Sequence, residues 1–420
     1  MTAPVDADGR PRCPVDHLNI VDPDTFADGL PLDAFAKMRD EAPVYWQEQE
    51  TPWDKGFWVV SRHEDVLEVS RNAEVWSSWE RGSLLQSTAI EGQDPEEALA
   101  TTRMLMLNMD PPEHSAYRNI VQRAFTPRTI RDLEPRLREF ANEIMDRALE
   151  KGEGDFVEDV AAELPLLAIC ELVGVPAEDR KLVFDLSNRL VGSEDPEFTR
   201  APEESSLAMM EMYMFADRIA AARQECPADD VATKLLQASV DGTALTQEQF
   251  DVFFMLLMVA GNETTRNAIT HGMQAFFDHP EQWELFKSTR PLETAAEEII
   301  RWGTPVMQFQ RTAKVDTVLG GQPIKKGERV AIYYSSANRD HTALDDPDTF
   351  DITRVENEHV AFGGGGPHFC LGANLARAEI RIIFDVIADR MPDIAPLGPP
   401  RALRSMFLHA IKGLPVRYTA

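Results

Sequence analysis

Cys370 closes the run Phe362-Gly363-Gly364-Gly365-Gly366-Pro367-His368-Phe369, with Leu371-Gly372 behind it. The pattern that follows predicts a helix from Leu371 to Arg390. A cysteine at a helix start gains thiolate character from the positive end of the dipole and from backbone N–H groups aimed at sulfur. The glycines keep side chains away, so something wide and flat can lie against that sulfur. An isolated free cysteine is more often a small buried hydrophobe, so the neighbours must decide. They do not form a nucleotide cradle. No Lys-Ser/Thr follows the glycines, and the sixth place counted from Gly363 is His368 where a dinucleotide fingerprint needs glycine.

Three other groupings carry chemistry. Ala260-Gly261-Asn262-Glu263-Thr264-Thr265 lies inside an apolar helical stretch, Gln247 to Phe277. Glycine in a helix interior costs about 1 kcal/mol relative to alanine, and a buried carboxylate is costly without partners. A kink or helix end would explain the run, and so would a functional site. Glu298 and Arg301 stand three apart on one helical face, ordinarily a solvated bridge of little energetic weight. Pro111-Pro112-Glu113-His114-Ser115-Ala116-Tyr117-Arg118 opens a helix and sets His114 and Arg118 one turn apart on one face.

Jointly these motifs resemble the haem-thiolate monooxygenases of the cytochrome P450 superfamily, from about Asp22 to Tyr418. The resemblance makes Cys370 the axial ligand of haem iron, a ligation that favours O–O cleavage. It places Phe362, His114, Arg118, Arg311 and His368 around the haem, the last four as donors to its propionates, because buried carboxylates need paired donors. It assigns Gly261 to leave room for dioxygen, and Glu263 with Thr264 to relay protons. Glu298 and Arg301 would join Arg354, in the proline-marked loop Asp346 to Arg354, as a buried triad holding the cysteine loop. Phe362 and Cys370 lie one residue further apart than is usual in the superfamily, as in a subgroup acting on sterol side chains and methyl-branched lipids. Leu105, Met106, Val259, Ala260, Val306, Met307, Met406 and Phe407 are then expected near an apolar substrate pocket.

The chain that must position these residues has 420 of them, with no linker and no internal repeat. The expected fold class is mainly α with minor β-sheets, the cytochrome P450 fold. A polar segment, residues 1–24, precedes a single domain, residues 25–420. Helices are predicted over Val66 to Val75, Glu113 to Phe125, Thr129 to Leu149, Phe156 to Leu172 and Ala208 to Arg223, besides the central one. Strands are predicted over Gly56 to Val60, Pro305 to Ala313 and Arg329 to Tyr334, and an exposed loop around Glu91 to Glu97.

A formal charge of -29 works against nucleic-acid binding. Four cysteines without paired spacing fit a reducing cytoplasm and argue against a disulfide framework or a zinc site. Met1 to Asp24 resembles neither a signal peptide nor a membrane anchor, so a soluble, cytoplasmic protein is expected. The expected reaction is R–H + O2 + two electrons + two protons giving R–OH + water, at the terminal carbon of a steroid side chain or methyl-branched isoprenoid lipid. With no fused reductase, the electrons would come from a ferredoxin and its reductase. Arg118, Arg123, Arg128, Arg131, Arg136 and Arg138 form a basic run in an acidic chain. With Arg118 turned inward, the others could dock an acidic ferredoxin. The rivals are a monooxygenase for a small terpenoid or macrolide, and a non-catalytic haem sensor, which has no use for Glu263 and Thr264.

Overall fold

Thr246 starts the longest helix, Gln247–Asp278. Its hydroxyl accepts the Gln249 backbone N–H (3.2 Å), while the Gln249 side chain accepts the Thr246 N–H (2.9 Å). The middle of this central helix is buried on most sides, and the helix runs through Gly261 without a break. A helix apolar over most of its circumference needs neighbours all round. In this computed structural model, which describes residues 4–51, 53–85, 94–191, 194–198, 202–240 and 243–419, Glu163–Val173, Pro202–Glu225 and Leu292–Gly303 supply them.

The cysteine helix, Ala373–Arg390, packs along Pro127–Lys151 and Leu292–Gly303 and also touches the central helix. It begins two residues later than expected, after a turn at Leu371 and Gly372. Other boundaries move for local reasons. Thr126 caps the helix Pro127–Lys151, with proline at its first position. The expected Glu113-to-Phe125 helix is α only through Val121 and then tightens into a 3-10 turn. The expected Phe156-to-Leu172 helix begins as a π turn, Val157–Ala161. The acidic loop is corrected in part: residues 91–93 lie outside the described ones, but Glu96 and Glu97 occupy the first turn of the helix Pro95–Thr102. There the dipole favours acids.

The strands Val44–Glu48, Gly56–Val60, Arg329–Tyr333, Gln308–Ala313 and Trp76–Ser77 form one sheet in that order. Only the Arg329–Tyr333 to Gly56–Val60 pairing is parallel. The predicted Pro305-to-Ala313 strand starts at Gln308, which leaves Pro305 and Val306 free to face the centre of the molecule. The N-terminal segment packs on this sheet through Ile20, which is fully buried and whose carbonyl accepts the Tyr333 hydroxyl (3.4 Å). No helix among the described residues is long and apolar enough to cross a membrane.

Candidate active site

The cysteine loop is held by its backbone. Gly363, Gly364, Gly365 and Gly366 all have positive φ, between 70° and 105°. At Gly366 a Cβ would lie 2.3 Å from the Ser70 carbonyl oxygen, so no larger residue fits. The Cys370 N–H donates to the Phe362 carbonyl (3.0 Å) and closes the loop, and Arg71 Nε donates to the Gly364 carbonyl (2.9 Å). Arg377 stacks over the Phe362 ring at 4.6 Å and donates to Glu297, which His359 also contacts at 2.9 Å. Burial works against the Glu297 charge, yet the His359 and Arg377 hydrogen bonds outweigh it and hold the pKa at about 2.

Behind the loop Glu298 and Arg301 are both fully buried, so the ordinary surface bridge is excluded. Arg301 forks onto Glu298 (2.7 and 2.8 Å) and donates to the carbonyls of Asn338 (2.9 Å) and Pro347 (2.7 Å). Arg354 Nε completes the cluster at 3.2 Å from Glu298. The triad thus ties the helix Leu292–Gly303 to the loop leading toward Cys370.

A largely apolar cavity lies between the central and cysteine helices. Leu257, Ala260, Gly261, Thr264 and Thr265 form one wall, and Cys370, Leu371 and Phe362 the opposite one. Its polar end gathers His114, Arg118, Arg311 and His368. The His114 and His368 rings lie 4.2 Å apart, tilted by 46°, and His114 Nδ1 is buried without a hydrogen-bond partner. Burial, then the neighbouring Arg118 and Arg311, push His114 down to about 4. Burial, Arg311, His114 and Arg118 hold His368 well below its ordinary value. Arg311 is buried and donates to its neighbour's carbonyl, Gln310 (2.6 Å). Neither Arg118 nor Arg311 has an ion pair among the described residues. Burial raises the Cys370 thiol, while the Gly372 N–H, Arg118 and Arg377 pull it back toward thiolate.

These residues fit a haem. Two guanidinium groups and two imidazoles, one with an orphaned nitrogen, converge at one end of an apolar slot. That is the donor set two buried carboxylates require. The cysteine sulfur faces the same slot under a glycine-rich turn that leaves it uncovered.

The expected residues separate into groups. Gly261 and Thr264 line the cavity; Thr264 Oγ donates to the Ala260 carbonyl (2.9 Å), and a Cβ on Gly261 would lie 2.9 Å from Ile169. The glycine thus also admits the neighbouring helix. Glu263 does not reach the cavity wall. It is buried on the flank of the central helix in an ion pair with Arg266, whose Nη1 donates to Asn188 Oδ1 (2.6 Å). Burial raises its pKa, and Arg266 opposes the rise.

Of the expected pocket residues, Met106, Ala260 and Val306 line the cavity. Leu107, Leu257 and Phe309 line it where Leu105, Val259 and Met307 do not. Positions 257, 260, 261 and 264 share one helical face, which leaves Val259 off it. Met307 and Met406 are buried in the cluster beneath the sheet with Phe35 and Tyr333. Phe407 reaches the site through Phe309, its ring 5.5 Å away.

Sequence reasoning missed two features. Asp195, almost fully buried, accepts Lys412 Nζ (2.8 Å) and the Arg404 N–H (3.1 Å), and Glu194 accepts the Met406 N–H (2.9 Å). This cluster pins the segment carrying Met406 and Phe407. The other is Glu379, a fully buried carboxyl on the cysteine helix. No motif or periodicity in the run Val191 to Arg200 marks the first. The second sits at a core-facing helix position that periodicity alone could have flagged.

Residues 208–388 match the family model described as Cytochrome P450. The chain is 50% identical to the steroid C26-monooxygenase of Rhodococcus jostii, over 97% of this chain and 86% of that protein. It is 38% identical to the methyl-branched lipid omega-hydroxylase of Mycobacterium tuberculosis, over 97% and 96%. A solved Mycobacterium marinum cytochrome P450 in complex with pseudoionone superposes with a TM-score of 0.90 at 37% identity, covering 99% of this chain and all of that one.

Proposed function

The chain belongs to the cytochrome P450 family of monooxygenases, and from that premise we propose that it hydroxylates the terminal carbon of a steroid side chain. The observation that carries the assignment is the slot itself, with Cys370 on one wall, Gly261 and Thr264 on the other, and four nitrogen donors at one end. Cys370 would hold the iron, and His114, Arg118, Arg311 and His368 the propionates. When bound, the haem supplies oxygen activation driven by two external electrons.

The chain's own residues do the rest. Thr264, its hydroxyl donating to the Ala260 carbonyl in this structure, can rotate to hold a proton toward the cavity. Glu263 can pass protons inward if it leaves Arg266. Ala260, Leu257, Val306 and Phe309 exclude water and present an apolar chain end. A terminal methyl has stronger C–H bonds than interior carbons, so selectivity has to come from restraint. The walls must admit only the chain end. The steroid reading rests on the 50% identical relative, and a methyl-branched lipid chain would meet the same walls.

Electrons would arrive from a ferredoxin and its reductase. Arg123, Arg128 and Arg131 are exposed and make no ion pair among the described residues, whereas Arg136 pairs with Glu139 (2.7 Å) and Arg138 with Asp385 (2.9 Å). The first three therefore remain to meet an acidic partner. The four cysteines are unpaired, which suits work in a reducing cytoplasm.

The test is a ferrous carbon monoxide spectrum together with product analysis. The native protein should show the long-wavelength Soret band of thiolate ligation, and Cys370→Ser should lose band and turnover together. A band that survives in Cys370→Ser would overturn the ligand assignment. Cholest-4-en-3-one should shift the iron spin state and give a terminally hydroxylated product by mass spectrometry. Ring oxidation, or no spin shift, would transfer the proposal to the small-terpenoid substrates.

A further inference from the structure

Val306 and Phe309 line the cavity, and behind them runs a second segment, residues 404–410. Few backbone bonds join the two layers. The Met307 N–H donates to the Phe407 carbonyl (2.9 Å), the His409 N–H donates to the Pro305 carbonyl (3.0 Å), and Val306 forms an isolated bridge with Leu408. Val306 and Phe407 pack instead on a small apolar cluster of Leu403, Leu408 and Ala410. Phe198 covers the same cluster from residues 194–198, between the helices Arg180–Val191 and Pro202–Glu225.

The stretch that brings Phe198 also grips the second layer through two carboxylates. Asp195, only 1% exposed, accepts Lys412 Nζ (2.8 Å) and the N–H groups of Arg404 (3.1 Å) and Glu197 (2.9 Å). Burial works against its charge, yet Lys412 and the two N–H groups outweigh it and hold the carboxyl below its ordinary pKa. Glu194 accepts the Ser405 hydroxyl (3.0 Å) and the Met406 N–H (2.9 Å). Ser405 Oγ in turn accepts the N–H groups of Phe407 (3.1 Å) and Leu408 (3.2 Å). The N–H groups of Arg404, Met406, Phe407 and Leu408 thus all end on this clamp instead of on a neighbouring strand, so the path of the segment depends on it.

We propose that Asp195 is a positioning residue for regioselectivity: paired with Lys412, and beside Glu194, it fixes residues 404–408 and, through Phe407 and Val306, the cavity wall that restrains the substrate's chain end. The inference rests on the terminal-hydroxylation reading. Asp195 lies outside the cavity and adds no group to the chemistry. It decides which carbon reaches the oxidant, because terminal attack requires a wall that keeps the weaker interior C–H bonds away.

Two measurements compare the native protein with Asp195→Asn, Lys412→Gln and Lys412→Arg. The first needs no turnover. In Asp195→Asn and Lys412→Gln, hydrogen–deuterium exchange should quicken about tenfold in peptides covering residues 404–408 and stay native in the central helix. Lys412→Arg keeps the charge and should exchange as the native protein does. The second measurement reads products from cholest-4-en-3-one and a methyl-branched fatty acid. The ratio of interior to terminal alcohol should rise about tenfold in Asp195→Asn and Lys412→Gln while the thiolate Soret band stays intact, and Lys412→Arg should hold the native ratio. An unchanged ratio, or unchanged exchange, in the variants that remove the pair would overturn the proposal. Should Asp195→Asn fail to fold, Lys412→Gln still decides. Failure of the terminal-hydroxylation reading shows separately, as a native enzyme that yields no terminal alcohol, and the exchange rates then still judge the clamp.

Discussion

Glu298 and Glu379 are both wholly withdrawn from solvent, and the molecule treats them in opposite ways. Glu298 receives Arg301 through two nitrogens, Arg354 Nε, Asn357 Nδ2 (3.1 Å) and the Asp351 N–H (2.9 Å). Glu379 receives no cation and no backbone donor among the described residues. Burial penalises a charge at either place, but one carboxyl is surrounded by cations and donors while the other is opposed in its raised pKa by one hydroxyl, that of Thr265. The first ties a helix to a loop through its ion pairs. The second has its pKa raised well above 4.5 by burial. The difference shows how to separate buried carboxyls that tie elements together from those that do not: count the donors that meet each.

The sharpest break of this comparison is truncation. Glu298→Ala leaves Arg301 buried and uncompensated and should cost about 3–5 kcal/mol, enough to unfold much of the protein or expel its haem. Glu379→Gln should fold normally. Urea unfolding of the two variants measures this, and equal losses would erase the distinction. Next come the residues proposed to handle protons. Glu263→Gln should slow oxygen activation about 100-fold. Thr264→Ala should instead keep haem and substrate binding while diverting most of the reductant to peroxide. Stopped-flow and peroxide assays separate the two, and native coupling in both would overturn their assigned roles.

A smaller effect appears in the pH dependence of stability. Glu379 is raised in the folded state, so below its ordinary 4.5 folded and unfolded forms are both protonated and its burial is tolerated. As pH rises through 4.5 the unfolded chain gains by ionising and stability is lost, so Glu379→Gln should gain on the native protein over that range. Glu297 runs the other way. Held at about 2, it contributes stability that is present above 4.5 and disappears as pH falls through about 2. Paired denaturation series at acid and neutral pH would show the two opposite slopes. The smallest effect should follow Arg123→Glu with Arg128→Glu, which would slow reduction by a ferredoxin a few-fold at low salt and leave substrate affinity unchanged. The difference should shrink as salt shortens the screening length below about 10 Å.

Much of this was legible in the residues. The sequence places Gln247–Asp278 within one residue because its apolar middle is a local signal. The strands Gly56–Val60 and Arg329–Tyr333 were read almost to their ends from their apolar, β-branched and aromatic content. The helix Leu32–Glu41 and the strand Val44–Glu48 went unread, since their burial is made by the N-terminal segment and by the Gly56–Val60 strand, both non-local. Within the site, Cys370, His114, Arg118, Arg311 and His368 were named by motif and meet at one slot. Met307 and Met406 were named by the same logic and point into the core, because adjacent extended residues face opposite ways.

The sequence by itself determined the chemistry: a cysteine delivered by four glycines, and an acid-alcohol pair in a buried helix. It also determined the glutamate and arginines that meet behind the loop. These are covalent spacings, and spacing survives folding. The tertiary structure alone decided which groups are charged and which are not. Glu263 found Arg266, Glu298 found two arginines, and Glu379 was buried on the cysteine helix with no charged partner among the described residues. Ionisation depends on the solvent removed and on the partners supplied by distant segments, and neither quantity is written in the order of the residues.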